Sequence, residues 1–372
     1  MKGIKGKWVG WLGLLLVLVA VPCVRAVLFE ATGDPSYNTN APTGSLTNSG
    51  WQYEGQWNSW LGTPIAPTFF LTAHHINGNV GDSFILDGFT YTTVAVFDDL
   101  ESDLRIWQVA ETFPCYAPLY TNSSEMGNIC MVIGRGTDRG GAVLVNSTTN
   151  GWQWGNTNNI ERWGENSVSG VITGAVNYPT AQFLYATFQR NGMTNECDLS
   201  YNDSGGGMFI QDGGSTGTWK LAGIHYSVDG PFSFNGTTNT QFNGALVDWR
   251  GLYFLNETNG WTLVPTNNPV AVPGHFYSTR VSARISWINS VINYDLGDDL
   301  GIAGIQIVGS DAQISLITGT SRLYRVDYTT NLVNAVWTTL TNNIPGTNGI
   351  VIVTDSGAAT LPARYYRATV LP

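Results

Sequence analysis

The sequence predicts an all-β protein, and three observations carry this prediction. The composition combines few charged residues, 12%, with 14 Trp, 16 Tyr and 44 Gly, which is typical of β-rich exported proteins. Between residues 50 and 270, short apolar runs alternate with clusters of Gly, Asn, Asp and Pro, as in a β-sandwich or a β-barrel. Helical periodicity is clear only at residues 281–292, where one face carries Val281, Ile285, Ile288 and Ile292.

Residues 1–26 have the features of an export leader, or signal peptide. They contain a basic start, an apolar stretch at residues 12–21 and a small residue, Ala26, at the predicted cleavage site. The apolar stretch is too short to span a membrane comfortably. We therefore expect cleavage before Val27 and a mature protein that is secreted or otherwise extracytoplasmic, with no membrane span. A retained anchor and a lipid-modified Cys23 are the less favoured alternatives.

The length of the chain predicts two domains. About 345 residues remain after the leader, which is more than one hydrophobic core usually holds. The first domain covers residues 27–293, and a polar, glycine-containing linker covers residues 294–301. Residues 302–372 follow as a small β module, for which about five strands suit a sandwich-like fold. The apolar runs that predict these strands lie at residues 304–308, 313–317, 323–328, 350–353 and 365–370.

The acidic charge of the chain restricts its partners. The formal net charge of −10 becomes −14 once the four positive charges of the leader are removed. Nucleic acids and anionic membranes are bound through clustered Lys and Arg, so neither is an expected partner. No metal or other cofactor is expected, because the cysteine and histidine spacings match no usual zinc-ligand pattern.

The cysteines allow at most one internal disulfide. Cys115, Cys130 and Cys197 are the three that remain after the leader. Proximity along the chain favours a bridge between Cys115 and Cys130, which would leave Cys197 as a free thiol.

Two segments place a histidine and a serine where nucleophilic catalysis needs them. Leu71-Thr-Ala-His-His75 ends an apolar run, and Asn202-Asp-Ser-Gly-Gly-Gly207 is a glycine-rich turn. A serine hydroxyl is a weak nucleophile until a base takes its proton, and a third group must orient that base. His75 is the candidate base, and Ser204 is the candidate nucleophile.

Four acidic residues are available to orient the base. Asp98, Asp99, Glu101 and Asp103 all precede the apolar run that contains residues 106–109. We choose Asp103 because the apolar strand begins directly after it. The other three remain alternatives.

The segments that contain His75, Asp103 and Ser204 follow one another in this order along the chain. They resemble, in the same order, three motifs of the chymotrypsin/trypsin-like serine protease family: Thr-Ala-Ala-His, Asp-Ile-Ala-Leu and Gly-Asp-Ser-Gly-Gly. Residues 221–225 are similar to the strand that follows the family's nucleophile, and residues 277–288 are similar to the start of its closing helix. The resemblance covers residues 50–293. It implies a double six-stranded β-barrel with a C-terminal helix, which acts as a secreted serine endopeptidase on a protein or peptide substrate. The C-terminal module resembles short β domains appended to exported bacterial enzymes, which implies contact with the cell surface or the substrate.

The resemblance assigns the oxyanion hole to the backbone N–H groups of Asn202 and Ser204. Glycine is usual at the Asn202 position, where the backbone turns sharply, and asparagine is among the residues that best tolerate a left-handed conformation. The family cysteines are also missing, since Ile76 and Ser200 stand in their places. A catalytically inactive protease-fold binding or adhesion protein is therefore the alternative function.

The resemblance leaves the specificity pocket open between two residues. Asp198, six residues before Ser204, matches the aspartate with which trypsin-like members bind Arg or Lys. His225 resembles the histidine with which bacterial glutamyl endopeptidases bind an acidic side chain.

Activation also departs from the family pattern. No Ile-Val-Gly-Gly start precedes Trp51, so the family's pairing of a new amino terminus with the Asp203 position has no obvious equivalent. We expect the enzyme to fold directly into its active form. The alternative is that Val27 takes this role after leader removal.

Overall fold

The computed structural model describes residues 27–371, except residues 158, 214–216, 257, 296–300, 320–321, 334 and 348. The predicted leader and most of the predicted linker lie outside the described residues. Strands dominate the described chain, which confirms the all-β prediction. In this part of the chain, no helix is long and apolar enough to cross a membrane.

Six strands of the amino-terminal half close into a first barrel. The first seven strands are β1 (Leu28–Phe29), β2 (Gly55–Trp57), β3 (Trp60–Ala66), β4 (Phe69–Ala73), β5 (Ser83–Leu86), β6 (Phe89–Asp98) and β7 (Leu104–Val109). Strands β2 to β7 pair antiparallel in the closed order β2-β3-β4-β7-β6-β5. Large apolar side chains fill the interior, as in other small barrels; they include Trp57, Phe70, Phe84 and Trp107, all fully buried.

A second closed barrel uses six of the next fourteen strands of the described chain. These fourteen are β8 (Ile129–Gly134), β9 (Thr137–Val145), β10 (Thr148–Thr157), β11 (Arg162–Ala175), β12 (Tyr178–Thr187), β13 (Cys197–Asp198), β14 (Gly207–Asp212), β15 (Thr218–Val228), β16 (Phe232–Ser233), β17 (Gln241–Phe242), β18 (Gly244–Leu246), β19 (Tyr253–Asn256), β20 (Gly260–Leu263) and β21 (His275–Arg280). The barrel order is β11-β12-β21-β15-β14-β8, and smaller sheets have the orders β1-β13, β18-β10-β9 and β17-β16-β19-β20. The two closed barrels confirm the predicted double-barrel fold.

The predicted closing helix is present as α1 (Ile285–Asp295), directly after a 3₁₀ turn at Ser282–Arg284. Of the face that predicted it, Val281 and Ile288 are fully buried, while Ile285 and Ile292 are partly buried. They join a core cluster that contains residues of both barrels, so one continuous apolar core holds the barrels and the helix together. Other short 3₁₀ turns lie at Gly44–Leu46, Trp51–Tyr53, Thr238–Thr240 and Ala358–Thr360.

The C-terminal part of the described chain forms two three-stranded sheets. Its strands are β22 (Gly301–Val308), β23 (Asp311–Thr318), β24 (Leu323–Thr329), β25 (Thr338–Pro345), β26 (Gly349–Asp355) and β27 (Tyr365–Leu371). The sheet orders are β22-β23-β26 and β25-β24-β27. Both sheets contribute to a separate apolar core made of Ile314, Leu316, Tyr324, Val326, Ile344 and Val353, as in a sandwich.

The sequence prediction of about five strands in this module misses β25. This strand reads Thr-Thr-Leu-Thr-Asn-Asn-Ile-Pro, and most of its residues are exposed. It lies at the edge of its sheet, where one row of backbone groups faces no partner and apolar alternation is not required. Ile344 is the one buried residue of β25. A single buried residue cannot produce the alternating apolar pattern by which a strand is predicted from sequence.

The predicted disulfide between Cys115 and Cys130 is wrong, because both thiols are free. Cys130 lies on β8 and points into the core of the second barrel, whereas Cys115 lies in a loop with its Sγ 3.8 Å from the carbonyl oxygen of Gln52. Short separation along the chain therefore does not bring the two thiols together. Burial raises the pKa of Cys130 to about 12, so this thiol is chemically unreactive at neutral pH.

Candidate active site

Strand pairing in the first barrel brings His75 and Asp103 together. Strands β4 and β7 pair Ala73 with Leu104, so the residues that follow β4 lie beside those that precede β7. His75 Nδ1 lies 2.6 Å from Asp103 Oδ2, and the His75 backbone N–H donates to Asp103 Oδ1 at 2.9 Å. The Asp103 carboxylate is fully buried. Two hydrogen bonds to one buried carboxylate fix the orientation of the imidazole.

The three alternative acids are engaged elsewhere. Asp98 receives two hydrogen bonds from Arg105, at 2.5 and 3.1 Å. Asp99 and Glu101 both bind Arg284, at the start of the closing helix. These three acids therefore bind arginine side chains of neighbouring segments. Asp103 is the acid that contacts the His75 imidazole.

Ser204 reaches the same imidazole from the second barrel. It lies in the turn between β13 and β14, and its Oγ is 2.8 Å from His75 Nε2. With the imidazole proton on Nδ1, facing Asp103, the Nε2 lone pair faces the serine hydroxyl and accepts its proton. The tautomer is inferred from these partners. The arrangement can activate a hydroxyl nucleophile by general-base chemistry.

The turn before Ser204 has the left-handed backbone that its sequence suggested. Asn202 has φ 75°, a conformation that costs asparagine less than most residues. Among the described residues, the backbone N–H groups of Asn202 and Ser204 donate no hydrogen bond. An oxyanion hole requires backbone N–H donors that are free in this way.

The buried Asp203 carboxylate holds this turn from behind. It accepts the backbone N–H of Gly136 at 2.6 Å, the backbone N–H of Ser200 at 2.7 Å and the Ser200 hydroxyl at 2.9 Å. Burial raises the pKa of Asp203 to about 6, although these hydrogen bonds and one from the Val27 backbone lower it. Val27 is itself buried. The first residue of the described chain therefore contacts the carboxylate that holds the turn before Ser204.

His75 and Ser204 lie in a cleft with a volume of about 470 Å³. His225 belongs to its wall and is fully buried, with Nδ1 3.0 Å from Ser278 Oγ. Burial lowers the pKa of His225 to about 3, against a small opposite effect of the Ile133 and Gly207 backbones. The ring is therefore neutral at pH 7. Its Nε2 has no hydrogen bond of normal geometry in the described chain.

Asp198 does not line this cleft. Its Oδ1 accepts the backbone N–H of Leu199 at 2.8 Å, and its strand β13 pairs with β1. Burial raises the pKa of Asp198 well above its ordinary value. Of the two residues that compete for specificity in the sequence, the structure brings His225 to the cleft and keeps Asp198 outside it.

Three further residues at the site were missed by sequence reasoning. Asp229 lines the cleft, and its two oxygens bind Tyr277 Oη and His275 Nδ1, both at 2.8 Å. Tyr226 follows His225 directly, and its ring meets the His75 ring edge to face with centroids 5.7 Å apart. The sequence could have indicated Tyr226, because it follows directly on residues 221–225, which resemble the family's strand after the nucleophile. Tyr178, which contacts His74, is distant in sequence and has no such signal.

The described residues contain no group of three or more His, Cys, Asp or Glu side chains that could hold a metal ion.

Comparison with solved structures returns proteases. The active form of the Rv3671c protease from M. tuberculosis is 14% identical, with a TM-score of 0.33 over 55% of this chain and 83% of that one. The HtrA-type protease AlgW with a decapeptide is 12% identical, with a TM-score of 0.36 over 66% and 57%. The NS6 protease from murine norovirus 1 is 14% identical, with a TM-score of 0.30 over 56% and 94%. Such scores carry no argument about function, and the fold rests on the strand pairing described above. No protein-family model and no curated protein matches the chain.

Proposed function

We propose that this protein is a serine endopeptidase that is exported and hydrolyses peptide bonds. The observation that carries the proposal is the continuous hydrogen-bonded series Asp103–His75–Ser204, beside the unpaired N–H groups of Asn202 and Ser204. A binding or adhesion protein on the same fold has no evident need for this series. The left-handed Asn202 also removes the main objection to activity, because asparagine supplies the backbone that glycine usually supplies.

The geometry supports a two-step acyl transfer. Ser204 Oγ attacks the substrate carbonyl carbon while its proton passes to His75 Nε2, and the buried Asp103 carboxylate stabilises the imidazolium that forms. The Asn202 and Ser204 N–H groups bind the oxygen that becomes negative. His75 then gives the proton to the leaving amine as the peptide C–N bond breaks. Water, activated by the same imidazole, hydrolyses the acyl-enzyme and regenerates Ser204.

We further propose that the cleft prefers an acidic side chain before the scissile bond. His225 belongs to the cleft wall, where the Ser278 hydroxyl can donate to its Nδ1 and leave the ring proton on Nε2. The Asp198 carboxyl group is outside the cleft, and both oxygens of Asp229 are already hydrogen-bonded. These contacts favour the glutamyl alternative over the Arg or Lys alternative. For the C-terminal module we keep contact with the cell surface or the substrate as a proposal.

A fluorophosphonate probe tests the function directly. A serine hydroxyl that can attack a peptide carbonyl also attacks the phosphorus atom of the probe. The wild type should therefore be labelled, and it should hydrolyse peptides of a library. Ser204→Ala should abolish both. Ser169→Ala is the matched control, because Ser169 bonds the Thr187 hydroxyl on the second barrel and does not line the cleft. Properly folded wild type that takes no label would refute the enzyme and favour the binding protein. Turnover of small esters without cleavage of any peptide would indicate an esterase instead.

A further inference from the structure

One part of the cleft wall comes from outside both barrels. Trp154 lies on β10 and lines the same cleft as His75 and Ser204. Strand β10 belongs to the sheet β18-β10-β9, which shares no strand with either barrel. This additional sheet therefore gives the cleft an aromatic side chain that the barrel strands do not supply.

The backbone of Trp154 is held closely on both sides. Its N–H donates to the carbonyl oxygen of Asn243 at 2.9 Å. A Cβ atom at Gly140, on the neighbouring strand β9, would lie 2.9 Å from the Trp154 carbonyl oxygen. A Cβ atom at Gly155 would lie 2.4 Å from Asp138 Oδ1, also on β9. Because only glycine allows such a close approach of two strands, the neighbouring chain fixes the position of Trp154.

The Trp154 side chain presents carbon atoms to the cleft. Trp154 is half-buried and packs against an apolar cluster that contains Phe188, Ala245 and Val247. Its Nε1, the one polar atom of the side chain, is buried and has no hydrogen-bond partner in the described chain. The exposed part of the indole is therefore apolar, and it acts on a substrate through its shape.

The wall continues from Trp154 to the end of β15. Asn243, which accepts the Trp154 N–H, also lines the cleft, as do Gly230 and Pro231. A Cβ atom at Gly230 would lie 3.3 Å from Asn243 Oδ1, so the Asn243 amide reaches the segment that follows β15. Trp154, Asn243 and Gly230 thus form one connected stretch of wall, next to the strand that carries His225.

We propose that Trp154 is a specificity-determining residue, which limits the size of the substrate side chain that the cleft accepts before the scissile bond. This inference rests on the proposed function. A wall held by a backbone hydrogen bond and by close-packed strands does not yield to a large side chain. One extra methylene against such a wall changes kcat/KM by about 10- to 200-fold. Side chains up to the length of Glu should be accepted, whereas the aromatic side chains of Phe, Tyr and Trp should be rejected.

The test compares Trp154→Ala with the wild type, both as the full chain, on a peptide library that varies the residue before the scissile bond. In the variant, kcat/KM for the Phe and Tyr peptides should rise by about tenfold or more relative to the Glu peptide, since the wall has been removed. The rate of labelling by a small alkyl fluorophosphonate should stay within about twofold of the wild-type rate, because this probe has no side chain at that position and reports on the nucleophile.

Trp152→Ala is the matched control. Trp152 lies on the same strand and packs against the same apolar cluster, but it does not line the cleft. Its library profile should equal that of the wild type. Trp154→Phe keeps a smaller aromatic wall, so it should give an intermediate profile, and it keeps the test valid if Trp154→Ala folds poorly.

Three results would overturn the inference: an unchanged library profile in the Trp154 variants, the same shift of profile in Trp152→Ala, or a wild type that cleaves best after Trp. Failure of the proposed function looks different, because the wild type would then cleave no peptide of the library.

Discussion

At the residue scale, the backbone of Asn202 decides whether the proposed oxyanion hole is complete. Its φ of 75° is a conformation in which glycine has no penalty and a β-branched residue is strongly strained. Among the described residues, the backbone N–H groups of Asn202 and Ser204 donate no hydrogen bond. The choice of asparagine is thus compatible with activity, although it is rarer than glycine at such a turn.

Substitutions at Asn202 should therefore separate the contribution of its backbone conformation to kcat from that of its side chain. Asn202→Gly should keep kcat within about threefold, because glycine adopts the same backbone freely. Asn202→Val should lower kcat by roughly 10²-fold or more, the usual effect of losing an oxyanion donor. The measurement is peptide hydrolysis normalised by active-site titration. Equal kcat for the valine and glycine variants would show that the left-handed backbone is not needed.

At the scale of elements, strand β15 carries a continuous part of the cleft wall. His225, Tyr226 and Ser227 follow one another along it, and Asp229 comes directly after its end. Side chains alternate between the two faces of a strand. The His225 side chain is therefore buried in the core, while the Tyr226 ring lies on the other face and contacts His75. One strand thus carries both His225, the proposed specificity residue, and Tyr226, which contacts the proposed base.

This division predicts a selective effect of His225→Ser. Peptide profiling of the wild type should show cleavage after Glu, since His225 belongs to the cleft wall and Asp198 does not. The variant should lose about tenfold or more in kcat/KM for Glu peptides, as expected when a buried polar partner is removed. Its rate of fluorophosphonate labelling should remain close to that of the wild type. Wild-type cleavage after Arg or Lys would reverse this assignment and return Asp198 to consideration.

The sequence contained the catalytic elements because each lies in a local motif. His75 and Ser204 stand in recognisable segments, and the helix face of Val281 and Ile288 has a clear period. The contacts between barrels are different, since Tyr178 and His74 meet only through tertiary folding. The wrong disulfide has the same cause, because the fold places Cys130 in a barrel core.

At the scale of the whole molecule, the amino-terminal segment reaches the far side of the site. Strand β1 pairs with β13, which places Val27 against Asp203, the carboxylate that supports the Asn202 turn. A buried carboxylate without a cation is costly, and leader removal before Val27 would create an α-ammonium at this point. We therefore propose the alternative to direct folding, in which Val27 completes the active form after leader removal.

The pH dependence of stability should distinguish the two forms of the chain. With the leader attached, the folded pKa of Asp203 is about 6, above its ordinary value, so the folded state binds more protons than the unfolded state between pH 4 and 6. Stability is then highest at low pH and falls by up to about 3 kcal/mol as pH rises through this range. In a chain that begins at Val27, the ammonium should lower the pKa of Asp203 and remove this loss.

Urea unfolding between pH 4 and 7 measures this difference, with activity assayed on the same samples. The Val27 form should be the more stable above pH 6 and should label faster with the fluorophosphonate probe. Asp203→Asn is the control, because an amide cannot pair with the ammonium, and it should make the two forms alike in pH dependence. Identical stability curves and labelling rates for the extended and the Val27 forms would contradict the ion pair. Direct folding into the active form would then be the correct account, since the uncharged hydrogen bond from Val27 would suffice to hold the turn.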